Sequence, residues 1–294
     1  MKMTTPLLVA LMALTAPALQ SAPPRVMTWF ESLKGIESEE LHTPVAVAAG
    51  PEGKIAVADA SPPRLLLFRR VGVSWHYERS APLPSIPLDL GFTRDRWVVS
   101  LRQTAELITV DDQDLTIRRI ALPGEIVPGA LSVLSNGGIL LHDAAGERVL
   151  EIDTRGTIQR DVEVNGIVTA IATDFGGGFF AAIPDQELIL HFNSQWDQVS
   201  DWQMPSLGPK PAWPNGMVVR PSGEVLVLDR HNGVILVVDL AGELVGQGSR
   251  QGWEPGLLRF PSDIALVSSR EVVVADQGNG RAQVFRLTGS VSEP

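Results

Sequence analysis

The sequence predicts an all-β fold of repeated four-stranded units, and three observations support this prediction. A hairpin motif occurs six times: an apolar, mostly β-branched run ends at positions 59, 101, 143, 183, 229 and 276, and a second apolar run follows a short turn. These positions are 40 to 47 residues apart, a period typical of propellers and other repeat arrays. No stretch outside the N-terminal segment combines the 3.6-residue periodicity and the capping residues of a helix.

Each unit also begins in the same way, with a short apolar strand. A proline opens this strand in five units, at Pro44, Pro87, Pro128, Pro214 and Pro261. The fourth unit, near Val168–Ile171, lacks the proline. Most units add a polar-apolar segment after the hairpin, such as Val73–Tyr77, which gives four strands in each unit.

The two ends of the chain predict how the units are arranged. The last unit has only three strands, whereas the segment Arg25–Phe30 precedes the first unit and belongs to none. We expect this N-terminal strand to complete the last blade and to close the ring, because closure removes exposed sheet edges. The predicted fold is therefore a six-bladed β-propeller, a single domain spanning residues 25–290.

The first residues have the features of a secretory signal peptide. Lys2 precedes the apolar run of residues 7–14, which is far shorter than the ~20 residues of a membrane span. Ala16-Pro17-Ala18 fits the small-residue cleavage pattern, so we expect a signal peptide of residues 1–18, with cleavage as late as residue 22 as the second choice. The sequence therefore predicts an exported protein, periplasmic or extracellular, with no membrane span.

Composition limits the partners and the chemistry. The formal net charge of −10 argues against nucleic acid, which would require a basic face. The chain has no cysteine, which excludes disulfides and a thiolate nucleophile. A protein, peptide or glycan partner stays open.

Aspartate ends the second strand in four of the six units, and we predict a structural role for it. An aspartate at this place accepts backbone N–H bonds within the turn, and a repeated turn needs it in every blade, whereas a catalytic group is needed once. We assign Asn279 to the same turn motif, because Asn-Gly favours a hairpin turn. The predicted turn residues are Asp59, Asp143, Asp229, Asp276, Asn279 and Arg281.

The last unit resembles an NHL repeat. The resemblance is carried by Leu258-x-x-Pro261-x-Asp263-Ile264-Ala265, Glu271-Val272-Val273-Val274-Ala275-Asp276 and Asn279-x-Arg281-x-x-Val284-Phe285. Residues 41–68 and 214–239 are further matches, and the resemblance extends over about residues 41–290. It implies a six-bladed propeller, a fold used for binding platforms, sensors and occasionally enzymes. We therefore expect a non-enzymatic binding or interaction scaffold that uses one face of the ring.

Polar side chains beside the opening strands are the candidate ligand-binding residues. We expect His42, Asp89, Asn215 and Asp263 at the mouth of the central pore, where the innermost strands begin. Three oxygen-bearing side chains around one pore would suit a hard divalent cation such as calcium. The other interpretation, which the repeat pattern favours, is that Asp at this position caps the start of the strand.

A second resemblance supplies the alternative function. Pro214-Asn215-Gly216-Met217, followed by Pro221-Ser222-Gly223, resembles a segment of the gluconolactonase-type propellers. The resemblance implies that Asn215 helps to bind a metal, although the other acidic ligands of that family have no clear counterpart here. The alternative is thus a divalent-metal-dependent, lactonase-like hydrolase with its site at the pore.

Overall fold

The computed structural model describes residues 22–288, so the expected signal peptide and its cleavage positions up to residue 21 lie outside the described residues. Within 22–288 the chain forms 24 β-strands and two single-turn 3₁₀ segments, and the strands form six four-stranded antiparallel sheets. No helix among these residues has the length and apolar character required to cross a bilayer. The predicted all-β, six-bladed propeller is confirmed.

The first three blades follow the chain from the innermost strand outwards. Blade 1 contains β2 (Pro44–Gly50), β3 (Lys54–Ala60), β4 (Pro63–Val71) and β5 (Ser74–Pro82). Blade 2 contains β6 (Pro87–Thr93), β7 (Arg96–Leu101), β8 (Glu106–Asp111) and β9 (Ile117–Ile120). Blade 3 contains β10 (Pro128–Val133), β11 (Ile139–Asp143), β12 (Arg148–Ile152) and β13 (Ile158–Glu163).

The remaining blades complete the ring. Blade 4 contains β14 (Ala170–Thr173), β15 (Phe179–Ile183), β16 (Leu188–Phe192) and β17 (Gln198–Gln203). Blade 5 contains β18 (Pro214–Val219), β19 (Val225–Asp229), β20 (Val234–Val238) and β21 (Leu244–Gly248). Blade 6 contains β22 (Asp263–Ser268), β23 (Glu271–Asp276), β24 (Arg281–Leu287) and β1 (Met27–Leu33).

Closure of the ring depends on the N-terminal strand, as the sequence predicts. β1 lies outermost in blade 6 and pairs antiparallel with β24, from Met27 opposite Leu287 to Leu33 opposite Ala282. The strand extends beyond the predicted end at Phe30, and its two terminal apolar side chains, Met27 and Leu33, are buried. Blade 6 therefore unites both ends of the described chain in one sheet.

The core lies between the blades as well as within them. Val57 of blade 1 and Val273 of blade 6 belong to one apolar cluster, which spans the junction where the ring closes. Trp97 of blade 2 is fully buried against blade 1, and its Nε1 donates to Asp112 Oδ1 at 3.1 Å. Lys54 of blade 1 forms a buried ion pair with the same Asp112. Neighbouring blades are thus held by apolar contact and by a few buried polar links.

We predict that removing apolar contact from β1 destabilises the whole propeller. Leu33 is 2% exposed and packs in the cluster that joins blades 6 and 1. Leu33→Ala should lower the free energy of unfolding by about 2–5 kcal/mol, the usual range for a buried leucine. Thr28→Ala, an exposed position on the same strand, is the control. Equal thermal midpoints for the two variants, measured by circular dichroism, would contradict this closure role.

Candidate functional site

The aspartates that end the second strands hold the incoming chain of each blade. In each case a carboxylate oxygen accepts the N–H of a residue one or two positions before the opening proline. The bonds are Thr43 to Asp59 at 2.6 Å, Val127 to Asp143 at 3.0 Å, Trp213 to Asp229 at 3.1 Å and Arg259 to Asp276 at 2.7 Å. The carboxylate thus ties the start of the first strand to the end of the second, a longer-range role than the turn bond the sequence suggested.

We call the clamp the arrangement in which Asp59, Asp143, Asp229 or Asp276 binds the chain that enters its blade. Side chains from the following turn add further bonds to the clamp. Asn279 Nδ2 donates to Asp276 Oδ2 at 2.8 Å, and Arg281 Nε donates to the same oxygen at 2.9 Å. Asn232 repeats the first bond on Asp229 at 2.7 Å. The six predicted turn residues do not line the central channel. Their contacts are those of a fold-determining element.

The central channel contains two adjoining cavities that share a ring of polar side chains. The outer cavity, at the face where the innermost strands begin, has a volume of about 540 Å³, and the inner cavity has about 250 Å³. Four residues line both cavities: Asp89, Thr169, Asn215 and Asp263. We call these four residues the waist. They come from the innermost strands of blades 2, 5 and 6 and from the residue that precedes β14 of blade 4.

The structure brings three of the four predicted pore residues to the waist, but not His42. His42 is exposed and lies outside the channel lining. Its backbone N–H donates to Asp59 Oδ2 at 3.1 Å, so it belongs to the clamp of blade 1. The reason is its position two residues before Pro44, in the loop that approaches the strand rather than in the strand itself.

Asp89 and Asp263 each connect two neighbouring blades. Asp89 Oδ2 accepts the N–H of Leu131 in blade 3 at 2.7 Å, and Asp263 Oδ2 accepts the N–H of Val47 in blade 1 at 2.8 Å. In both residues Oδ1 accepts the N–H of the next residue in its own strand, at 2.7 Å. The side chains therefore cap strands, as one interpretation of the sequence expects, and also present carboxyl groups to the channel.

The two waist carboxyl groups are hard to ionise together. Burial raises the pKa of Asp89 to about 7, against bonds from Leu131 and Leu90 that lower it. Burial, and next the charge of Asp89, raises the pKa of Asp263 well above its usual value. Desolvation and mutual repulsion both disfavour the charged form of a carboxyl group. Near neutral pH the pair therefore retains a proton.

Two arginines that the sequence analysis missed face each other at the outer cavity. Arg102 and Arg230 directly follow the motif positions 101 and 229, and they come from blades 2 and 5, which are opposite in a ring of six. Burial, followed by the charge of Arg102, lowers the pKa of Arg230. Neither arginine forms an ion pair within residues 22–288. The feature of the sequence that could have revealed them is the contrast with blades 1 and 3, which have alanine at the same position, Ala60 and Ala144.

A buried histidine adds a third unusual group to the outer cavity. His142 on β11 is 4% exposed, and its Nε2 has no hydrogen-bond partner among the described residues. A Cβ at position 129 would come within 2.8 Å of His142 Nδ1, so Gly129 provides the space for the imidazole. Burial lowers the pKa of His142, although Asp143 opposes this. The ring is therefore neutral at pH 7, and its Nε2 is buried without a protein partner among the described residues.

The residues present do not fit a dedicated divalent-cation site. Calcium takes six to eight oxygen ligands, whereas no group of three His, Cys, Asp or Glu side chains in residues 22–288 converges on one point. Only two carboxyl groups reach the waist, and the outer cavity carries two arginines that repel cations. The arrangement of these residues therefore does not support a metal-dependent reaction at the channel.

Comparison with known proteins identifies the fold but not a family. No protein-family model and no curated protein matches the chain. Among solved structures, a catalytically inactive virginiamycin B lyase from Staphylococcus aureus with quinupristin is similar, at 12% identity and a TM-score of 0.62, over 90% of each chain. A structural genomics protein of unknown function from Bacteroides thetaiotaomicron aligns at 11% identity and a TM-score of 0.67, over 89% of this chain and 75% of its own. Identities this low show a shared propeller fold alone.

We predict that the clamp aspartates carry more stability than ordinary turn aspartates. Asp229 is fully buried, and Asp229→Ala leaves the partly buried N–H groups of Trp213 and His231 without their acceptor. The cost should be about 2–4 kcal/mol in the free energy of unfolding, because each unsatisfied buried donor costs about 1–3 kcal/mol. Asp153→Ala, which removes a similar but solvent-exposed turn, is the control. Urea denaturation would measure both, and equal midpoints would contradict the proposed difference.

The raised pKa of Asp89 at the waist predicts that the stability of the folded state depends on pH. The folded state holds a proton on Asp89 up to a pKa of about 7, whereas the unfolded state releases it near the ordinary value of 3.8. Stability from this group is therefore complete below the unfolded pKa and is lost as pH rises towards 7. Asp89→Asn should flatten the fall of the thermal midpoint between pH 4 and pH 7. The control Asp153→Asn should keep the wild-type slope, and an unchanged slope in Asp89→Asn would refute the assignment.

Proposed function

We propose that this chain is an exported, non-enzymatic binding protein, a divergent propeller of NHL type, whose channel mouth binds the anionic group of a ligand. The observation that carries the proposal is the pair Arg102 and Arg230. Two guanidinium groups from opposite blades line one cavity and form no ion pair within residues 22–288. In a chain with a net charge of −10, an unneutralised cationic pair indicates a binding role.

The surroundings of the pair support an anionic ligand of modest size. The cavity of about 540 Å³ lies within the range of small-molecule sites. Arg230 is already oriented, because its Nη2 donates to Gln277 Oε1 at 2.6 Å and its Nη1 donates to the carbonyl oxygen of Phe260 at 3.1 Å. Arg102 has no side-chain bond within the described chain and remains available. Guanidinium groups recognise carboxylates, like phosphates, with two parallel hydrogen bonds, and a carboxylate is the smaller of these anions.

A lactonase-like hydrolase at the same pore is the alternative function. The observation in its favour is the free Nε2 of the buried His142, because a neutral imidazole in a cavity is the usual general base. The requirement for a metal counts against it, since the waist offers two carboxyl groups and Asn215 alone. Binding without turnover is therefore the function that the geometry supports best.

Titration with hexanoate tests the anion site. Isothermal calorimetry should detect hexanoate binding to the wild-type protein at neutral pH, and Arg102→Gln should weaken it at least 10-fold without changing the thermal midpoint. Arg118→Gln, an exposed arginine on the outer strand β9, should bind as the wild type does. Wild-type affinity in Arg102→Gln, or no binding at millimolar hexanoate, would overturn the proposal. Hydrolysis of γ-butyrolactone that depends on calcium and on His142 would establish the enzyme instead.

A further inference from the structure

We propose that the channel takes a dipolar amino carboxylate, with the carboxylate at Arg102 and Arg230 and the ammonium group at the waist. The carboxylate end rests on the function proposed above. The ammonium end is new, and it follows from the hydrogen-bonding capacity of the waist, the spacing between the two ends of the outer cavity and the unpartnered histidine beside them.

The waist is rich in acceptor oxygens, and two of its side-chain donors already bind backbone carbonyl groups. Asn215 Nδ2 donates to the carbonyl oxygen of Ser262 at 2.5 Å, and Thr169 Oγ1 donates to that of Pro214 at 2.5 Å. Asn215 Oδ1 can receive a bond from the channel, and so can the carboxyl oxygens of Asp89 and Asp263, because each of these accepts one backbone N–H and has a second lone pair. An ammonium group has three donors and no acceptor, so it is the complementary ligand group.

Charge favours the same group at this depth. Asp89 and Asp263 line one channel without an ion pair to either of them among the described residues. The charged or titratable groups that face them in the outer cavity are Arg102, Arg230 and the neutral His142. Arg102 and Arg230 line the outer cavity only, whereas the aspartates also line the inner cavity, so the cationic and anionic ends lie at different depths. A ligand with opposite charges at its two ends matches this arrangement.

His142 provides an observation independent of the two acidic side chains. It is 4% exposed, lines the same cavity and carries a buried Nε2 without a partner. An unpaired buried polar atom is unfavourable. Because His142 lines the outer cavity, a turn of its imidazole towards the channel would let a ligand supply the missing partner. The outer cavity therefore has an unpaired histidine nitrogen at its side, and arginines and aspartates without ion-pair partners among the described residues at its two ends.

The backbone of blade 2 guides the choice of a probe length. Arg102 N donates to the carbonyl oxygen of Ile86 at 2.9 Å, which places the backbone of the arginine beside Ile86. Asp89 lies three residues further along the chain, which is at most roughly 10 Å of backbone at the usual rise of a strand, and a bulge between Pro87 and Asp89 shortens it. Leu88, Ala130 and Val168 line the wall of the outer cavity. We therefore choose as the probe 6-aminohexanoate, whose ammonium and carboxylate groups are joined by an apolar chain of the same order of length.

Three probes of similar size test the proposal by calorimetry at pH 7: 6-aminohexanoate, hexanoate and hexylamine. We expect 6-aminohexanoate to bind at least 10-fold more tightly than either single-charge probe, and 4-aminobutanoate to lose most of this advantage. Binding should release protons, seen as a dependence of the heat on the ionisation enthalpy of the buffer, because the ammonium group displaces the proton held by the aspartate pair. Asp263→Asn should remove the advantage and keep hexanoate binding, whereas Asp153→Asn should behave as the wild type.

The outcomes separate the two proposals. If hexanoate binds as tightly as 6-aminohexanoate, or if Asp263→Asn keeps the full preference, the ammonium site is overturned and the arginine site stands. If none of the probes binds, both proposals fail. The thermal midpoint of Asp263→Asn shows whether the variant is folded. If it is not, Asn215→Leu, which removes one acceptor from the waist, replaces it in the same comparison and should also lose the preference.

Discussion

The bond between a buried aspartate and the chain that enters its own blade is the interaction on which the rest of this structure depends. In blade 6 the carboxylate of Asp276 holds the N–H of Arg259 from one side and Asn279 and Arg281 from the other. A single side chain thus fixes the start of the innermost strand relative to the hairpin behind it. Because the innermost strands surround the channel, this fixed start also determines which residues reach its mouth.

Repetition separates the positions that build the ring from those that are free to vary. The arginine five residues after a clamp aspartate binds that aspartate, as Arg64, Arg148 and Arg281 do. In five of the six blades the residue directly after the motif lines the channel instead, where the side chain ranges from Ala60 to Arg230. An arginine therefore either binds a clamp aspartate or lines the channel, according to its place in the repeat. The arginines of the proposed anion site lie at the position where the repeats differ.

The fold was predictable from the sequence because the hairpin recurs in all six units, the opening proline in five of them and the aspartate in four, so the period is recognised even where a copy is degenerate. The N-terminal strand was predictable because a sheet of three strands needs a fourth. Asp89, Asn215 and Asp263 were found through their place beside the opening prolines. Arg102, Arg230 and His142 were not, because no local pattern states which side chains remain unpaired after a ring of six blades has closed. His42 was wrongly placed at the pore for a different reason: a shift of one or two residues along the chain decides whether a side chain faces the channel.

The composition of blade 6 has a consequence for the order of folding. Its outermost strand is β1 and its other three strands are the last three strands of residues 22–288, so Met27 can pair only after Leu287 has been synthesised. Contacts between residues so distant in sequence form late, because the loop-closure entropy must be overcome first. The early blades can form locally during synthesis, whereas the ring is completed only after the residues of β24 have been synthesised. Until that moment the flank of β24 is an open sheet edge, and the chain is then at its greatest risk of pairing with another copy of itself.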